Sequence, residues 1–187
     1  MKKTSIKDHG NLLKVFMILL NYDAIRRDII MLWADSVLAS EEESEYPFIE
    51  LSTSNNTLDT IQILNRNSTH ADSEITSRAV LGILYHMLQE EKVALKTAFE
   101  VATSISYEKQ LTDAEQFLLY RFDEYIELGL HETNEKLRLF NTHFVDLLRV
   151  YQDFRLENHS NWPIINEKMK MGLEIQLETV RKKYPYY

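Results

Sequence analysis

Apolar residues recur along this chain every three to four positions, and the densest run spans residues 137–154. There Leu137, Phe140, Phe144, Leu147, Tyr151 and Phe154 alternate three and four apart, which sets them on one helix face as a seam for lengthwise packing. Upstream, Leu12, Leu13, Phe16, Leu19 and Leu20 share a face of a first helix. Ile25, Ile29, Leu32, Trp33 and Val37 predict a second, with Asp23 as its cap. Ile75, Ala79, Leu84, Met87 and Leu88, continued by Leu95, Phe99 and Ala102, predict a helical block from about Ser73 to Thr103, with a break hidden between Gln89 and Lys92.

Start and stop signals agree with this pattern. Thr112-Asp-Ala-Glu115 reads as a capping box, in which the threonine hydroxyl accepts from the N–H three residues on and the glutamate reaches back to the threonine N–H. The helix it opens carries Phe117, Leu118, Arg121, Tyr125 and Leu128, and Gly129 suits its left-handed stop. Asn161-Trp-Pro163 opens a last helix through Ile165, Met169, Leu173, Gln176 and Val180, ended by Pro185.

Between residues 40 and 73 the periodicity weakens into an irregular acidic and polar connection. Pro47 and the polar cluster from Ser52 to Thr57 interrupt it, and residues 46–54 read as either a short β segment or a single helical turn. Leu58, Ile61 and Leu64 predict a brief helix after it. The sum is one all-α domain, 1–187, a bundle of about six to eight helices. No fixed-period repeat argues for a solenoid.

Composition narrows the function. With no cysteine among 187 residues there are no disulfides, thiolate metal sites or cysteine nucleophiles, which fits a reducing cytoplasm. A net charge of −8 disfavours nucleic acid, because the basic groups (Arg26 with Arg27, and Lys168, Lys170, Arg181, Lys182 and Lys183) are interleaved with carboxylates. The apolar run from Leu12 to Leu20, interrupted by Lys14, is too short for a membrane span and reads as a core helix. A soluble, cytoplasmic protein with no nucleic-acid or membrane partner is expected.

Several chemistries are missing. There is no pair of Glu-x-x-His motifs for a di-iron bundle, no His-Glu-x-x-His, no glycine-rich phosphate loop and no Gly-x-Ser-x-Gly elbow. No cofactor is predicted. One enzymatic alternative remains: His86 and Glu90, four apart, share a helix face, and with His70 and Asp72 just upstream they offer nitrogen and oxygen ligands to a divalent metal or an acid–base pair. His143 and Asp146, outside the seam, read as a solvent-facing pair, and His9 and His159 sit in polar surroundings. Arg121 points toward the apolar side of its helix and calls for a carboxylate.

The acidic segment suggests a different chemistry. Glu41, Glu42, Glu43 and Glu45 precede Tyr46, Pro47, Phe48 and Ile49. Clustered carboxylates steer a basic partner at long range, and aromatics such as Tyr46 and Phe48 anchor it once docked. The expected function is therefore protein–protein interaction with a basic partner, as small acidic binding proteins of the immunity or regulatory type achieve by class-level analogy. A dimer seam and an internal seam look alike in sequence, so residues 137–154 also permit a homo-oligomer.

Overall fold

The computed structural model describes residues 5–40, 45–106, 110–128 and 134–184. Among them are ten α-helices, two short 3-10 helices and no strand. The chain divides into two compact units, Met1–Asp72 and Ser73–Tyr187. The first holds α1 (Gly10–Asn21), α2 (Arg27–Ser40), α3 (Tyr46–Ser52) and α4 (Thr57–Asn67). The second holds α5 (Ser73–Gln89), α6 (Leu95–Ser104), α7 (Asp113–Leu128), α8 (Asn134–Arg149), α9 (Trp162–Lys170) and α10 (Leu173–Lys183). Helix count exceeds the expected six to eight partly because the last predicted helix breaks at Gly172 into α9 and α10.

In the first unit α1 packs on α4 and α2 on α3. Leu12, Leu13, Val15, Phe16, Leu19 and Leu20 of α1 are buried, as the run predicts. Asp23 does not cap α2. It ends α1 in the left-handed region at φ 54°, while the amides of Asp23 and Ala24 donate to the carbonyls of Leu20 and Leu19 at 3.1 and 2.9 Å. Ile25 is buried ahead of α2 rather than on it, so a stripe counted from it is out of phase. Ile30 and Ala34 face inward, and Ile29 and Leu32 are exposed.

Residues 46–52 are helical, which settles the choice between strand and helical turn. Glu45 is extended ahead of α3, and Pro47 sits in the first turn, where an N–H has no intrahelical partner. Phe48 and Leu51 face inward, and Phe48 joins Trp33 and His9 at ring separations of 5.2–5.9 Å. The Arg27 guanidinium donates to the Ser54 carbonyl and the Ser52 hydroxyl to Asp35, tying α2 to the far end of α3. In α4, Asn56 caps the amide of Asp59 at 3.0 Å; Leu64 is buried, and Leu58 is exposed.

α5 is the centre of the second unit. Every side-chain position from Ile75 to Leu84 is buried, so this helix is enclosed all round rather than amphipathic. Its predicted break falls at Glu91, which adopts φ 55° where glycine is usual, and the Lys92 amide donates to the Met87 carbonyl at 2.8 Å. α8 ends at Arg149, short of the expected residue 154. The chain then winds on through bonds of the 3-10 type, with the amides of Val150, Tyr151 and Gln152 donating to the carbonyls three residues back. Tyr151 and Phe154 therefore stay buried beyond the helix, together with Phe140, Phe144 and Leu147; the Leu137 side chain lies outside the described residues. Phe99, Phe122, Phe140 and Phe144 pack ring against ring at 4.0–6.4 Å.

The turn after α8 seats on α5 at Gly82. A Cβ there would lie 2.2 Å from the Tyr151 carbonyl oxygen and 2.8 Å from the Phe154 Cβ, whereas a Cβ at Gly172 meets nothing closer than 3.7 Å. Gly82→Ala should destabilise the protein by ~1–3 kcal/mol or more through forced separation of these backbones. Gly172→Ala should be close to neutral. Urea unfolding midpoints at unchanged slope test the contrast.

Candidate functional site

The most developed polar arrangement lies inside the second unit. Arg78, Glu115, Tyr151 and Asn166 come from α5, α7, the turn after α8, and α9, and all are buried. Arg78 Nε and Nη2 donate to the two Glu115 carboxylate oxygens at 2.9 Å each, a bidentate pair. Its Nη1 donates to Glu74 Oε1 and Asn166 Oδ1, both at 2.8 Å. Glu115 also accepts from the Tyr151 hydroxyl at 3.1 Å and from the Thr112 amide at 2.8 Å. Glu74 accepts from Asn166 Nδ2 at 2.6 Å and pairs with Lys170 at 2.7 Å.

This network is the predicted capping box put to a second use. The Glu115 amide donates to the Thr112 hydroxyl at 3.2 Å and the carboxylate returns to the Thr112 amide, as the sequence implies. The same carboxylate neutralises Arg78. Burial pulls the guanidinium pKa down, but the Glu115 pair outweighs it and the net direction is up. Burial, with the Glu115 charge, pushes the Tyr151 hydroxyl far up and keeps it a proton donor. Burial would raise Glu74, yet Lys170, Asn166 and Arg78 together hold it below its ordinary value. Arg78 is the residue that periodicity missed. Its signal was a lone cation inside the apolar run from Ile75 to Leu84. The network's donors and acceptors face each other, an arrangement that fixes helices rather than exposes a reactive group.

Of the four candidate metal ligands, His70 and Asp72 belong to the first unit and His86 and Glu90 to the second. His70 and Asp72 are exposed in the turn after α4, where the Asp72 amide donates to Asn11 Oδ1 at 2.8 Å. His86 Nε2 donates to the Gln152 carbonyl at 2.6 Å, a further tie between α5 and the turn after α8. Glu90 directly follows α5, its amide donating to the His86 carbonyl at 2.9 Å, and its carboxylate pairs with Lys92 at 2.5 Å. Among the described residues, no group of three or more His, Cys, Asp or Glu is placed to hold a metal ion.

The acidic segment divides. Glu41, Glu42 and Glu43 lie outside the described residues. Glu45 is turned inward: its carboxylate accepts from the Ile6 amide at 2.8 Å and the Ser5 hydroxyl at 3.3 Å, fixing the chain ahead of α1 to the start of α3. Phe48 is withdrawn from the candidate surface, because it is 0% exposed and holds α3 from within. Tyr46 is 68% exposed, and Ile49, one turn on, is 43% exposed. α3 therefore has an inward face of Phe48 and Leu51 and an outward face of Tyr46 and Ile49.

His143 also departs from expectation. It is buried, not solvent-facing: its ring stacks on Tyr184 at 4.1 Å and meets Phe122 at 4.9 Å. Asp146 accepts from the Tyr184 hydroxyl at 2.9 Å and pairs with Lys183. Burial, joined by the positive Arg121 and Lys183, lowers the His143 pKa from 6.5 to about 4. Arg121 lies over the Phe117 ring at 5.6 Å. His9 belongs to the Trp33 and Phe48 cluster, and His159 packs edge-on to Trp162. An open groove of about 350 Å³ runs between α8 and α10, lined by Asp146, Arg149, Val150, Ile175, Thr179 and Lys183 among others. No helix of the described residues is long and apolar enough to cross a membrane.

Comparison of the chain with protein-family models, curated proteins and solved structures found no match.

Glu115→Gln leaves a buried guanidinium short of its counter-charge and should cost ~3–5 kcal/mol of unfolding free energy, while Tyr151→Phe, which removes one donor, should cost ~1 kcal/mol. Equilibrium denaturation reads both. For His143 the unfolded chain takes up its proton near pH 6.5 and the folded chain only near pH 4. Stability should therefore fall as pH drops through that window. Glu74 and Asp146 lose their contribution at lower pH, below their ordinary 4.5 and 3.8. His143→Phe should flatten the fall above about pH 4.5, and a thermal-melt series across pH would show it.

Proposed function

We propose that the protein acts by binding another protein, a basic one, through the outward face of α3 and the acidic run that precedes it. One observation carries this reading: Tyr46 stands 68% exposed on the first turn of α3, directly after Glu41, Glu42, Glu43 and Glu45 in the chain. An exposed tyrosine supplies a large, stiff contact at small entropic cost, and the carboxylates beside it speed encounter with a positive surface. Glu45 and Phe48 serve that face indirectly. One ties the start of α3 to Ile6 and the other fills the core beneath it, so Tyr46 and Ile49 are presented on a fixed support. Such a protein works by occupying its partner's surface, as immunity-type and regulatory binding proteins do, and needs no cofactor. A cysteine-free chain suits the reducing cytoplasm as the place of action.

The test is quantitative affinity capture with the wild type, Glu41→Lys/Glu42→Lys/Glu43→Lys and Tyr46→Ala. A basic protein retained by the wild type should associate about tenfold or more slowly with the charge-reversed variant. Tyr46→Ala should weaken its equilibrium binding by about thirtyfold, the size of a central anchor. Retention that neither variant changes would remove α3 from the binding surface.

A further inference from the structure

Lys183 and Tyr184 fasten the C-terminal end of α10 to α8. α10 buries Leu173, Leu177 and Val180 along one stripe, and Tyr184, directly after the helix, continues it. The Tyr184 hydroxyl donates to Asp146 of α8 at 2.9 Å, and Lys183 pairs with the same carboxylate. The Tyr184 ring stacks on His143 at 4.1 Å, and Phe122 of α7 meets the imidazole at 4.9 Å. His143 is left 5% exposed. A titratable group is thus kept from water in part by the end of a helix, where local opening costs least.

Among the described residues, the charged and titratable groups about His143 are Arg121 from α7, Asp146 on α8 itself, and Lys183 and Tyr184 from the end of α10. Arg121 and Lys183 oppose a proton on the imidazole, and Asp146 favours one. Asp146 is already engaged by Lys183, Tyr184 and Arg149, so it does little to offset the enclosure of a second cation. A charged imidazole is better hydrated than enclosed, and lifting Tyr184 is the most local way to hydrate it. We propose that the end of α10 is an acid-released latch: when His143 takes up a proton, Lys183 and Tyr184 leave α8, while α5 and the network about Arg78 hold the rest of the unit. Asp146, Val180 and Lys183 line the groove between α8 and α10. Release therefore widens that groove and uncovers the aromatic cluster at Phe122.

Amide hydrogen exchange, corrected for its intrinsic pH dependence, tests the latch. With the imidazole titrating at about 4 when enclosed and at 6.5 when hydrated, the opening equilibrium of residues 180–184 should rise about twentyfold from pH 7 to pH 5. At each pH it should exceed that of the α5 amides by about a hundredfold or more, because α5 opens only with the whole unit. His143→Phe should abolish the rise at the end of α10. Tyr184→Ala removes the ring and should return the His143 titration, followed by imidazole NMR, toward 6.5. Tyr184→Phe keeps the ring and loses the bond to Asp146, and should stay closer to the wild type than Tyr184→Ala does. The Tyr184 pair keeps the test standing should His143→Phe fail to fold. Equal opening in α10 and α5 would mean that only unfolding hydrates His143, and would overturn the proposal. So would opening at 180–184 that is flat between pH 7 and pH 5, or a His143 titration indifferent to Tyr184→Ala.

Discussion

Taking a guanidinium and a carboxylate out of water costs several kcal/mol for each ion. The second unit of this protein meets that cost at one point, the bidentate bond between Arg78 and Glu115. Neither group can be moved independently once buried, because each would be left charged in a medium that cannot solvate it. Such a pair adds little over a well-packed apolar substitute in net stability, but it tolerates one geometry only. Glu115 is the third residue of α7, Tyr151 follows α8 and Asn166 lies on α9. The arrangement of three helices about α5 is thereby tied to the direction of one guanidinium plane.

Other features of this unit are consistent with that constraint. α5 is enclosed on all sides, so its only cation needs partners from its surroundings. Gly82 lets the turn after α8 approach closely enough for Tyr151 to reach Glu115, and the His86 bond to Gln152 holds the same turn from one helical turn away. The aromatic packing of Phe99, Phe122, Phe140 and Phe144 then fills space that the polar contacts have already bounded. The first unit solves the smaller problem of fixing a short helix. Glu45 holds its entrance and Phe48 its underside, leaving Tyr46 and Ile49 outward.

Much of this was legible in the chain. The spacing from Phe140 to Phe154 identified buried positions correctly even where the helix stops at Arg149, because turns of the 3-10 type keep nearly the same facing over so short a stretch. The Thr112–Glu115 cap was readable because its partners are three residues apart. Contacts at long separation were not readable. A separation of 37 residues between Arg78 and Glu115 leaves no local trace, and the capping role of Glu115 was sufficient reason for its presence. Phase errors arose where a buried residue lay outside the helix, as Ile25 does ahead of α2. The candidate surface was half legible: a tyrosine and a phenylalanine two apart in an acidic segment look equivalent, and only the helix of α3 sends Tyr46 to solvent and Phe48 to the core.

Whether Arg78 and Glu115 act as one unit is measured by a double-mutant cycle between them. Arg78→Met, Glu115→Leu and the combined variant are compared with the wild type by equilibrium unfolding. The combined loss should fall short of the sum of the single losses by ~2 kcal/mol or more, since the second substitution removes a charge the first had stranded. Losses that simply add would show two independent side chains and contradict it.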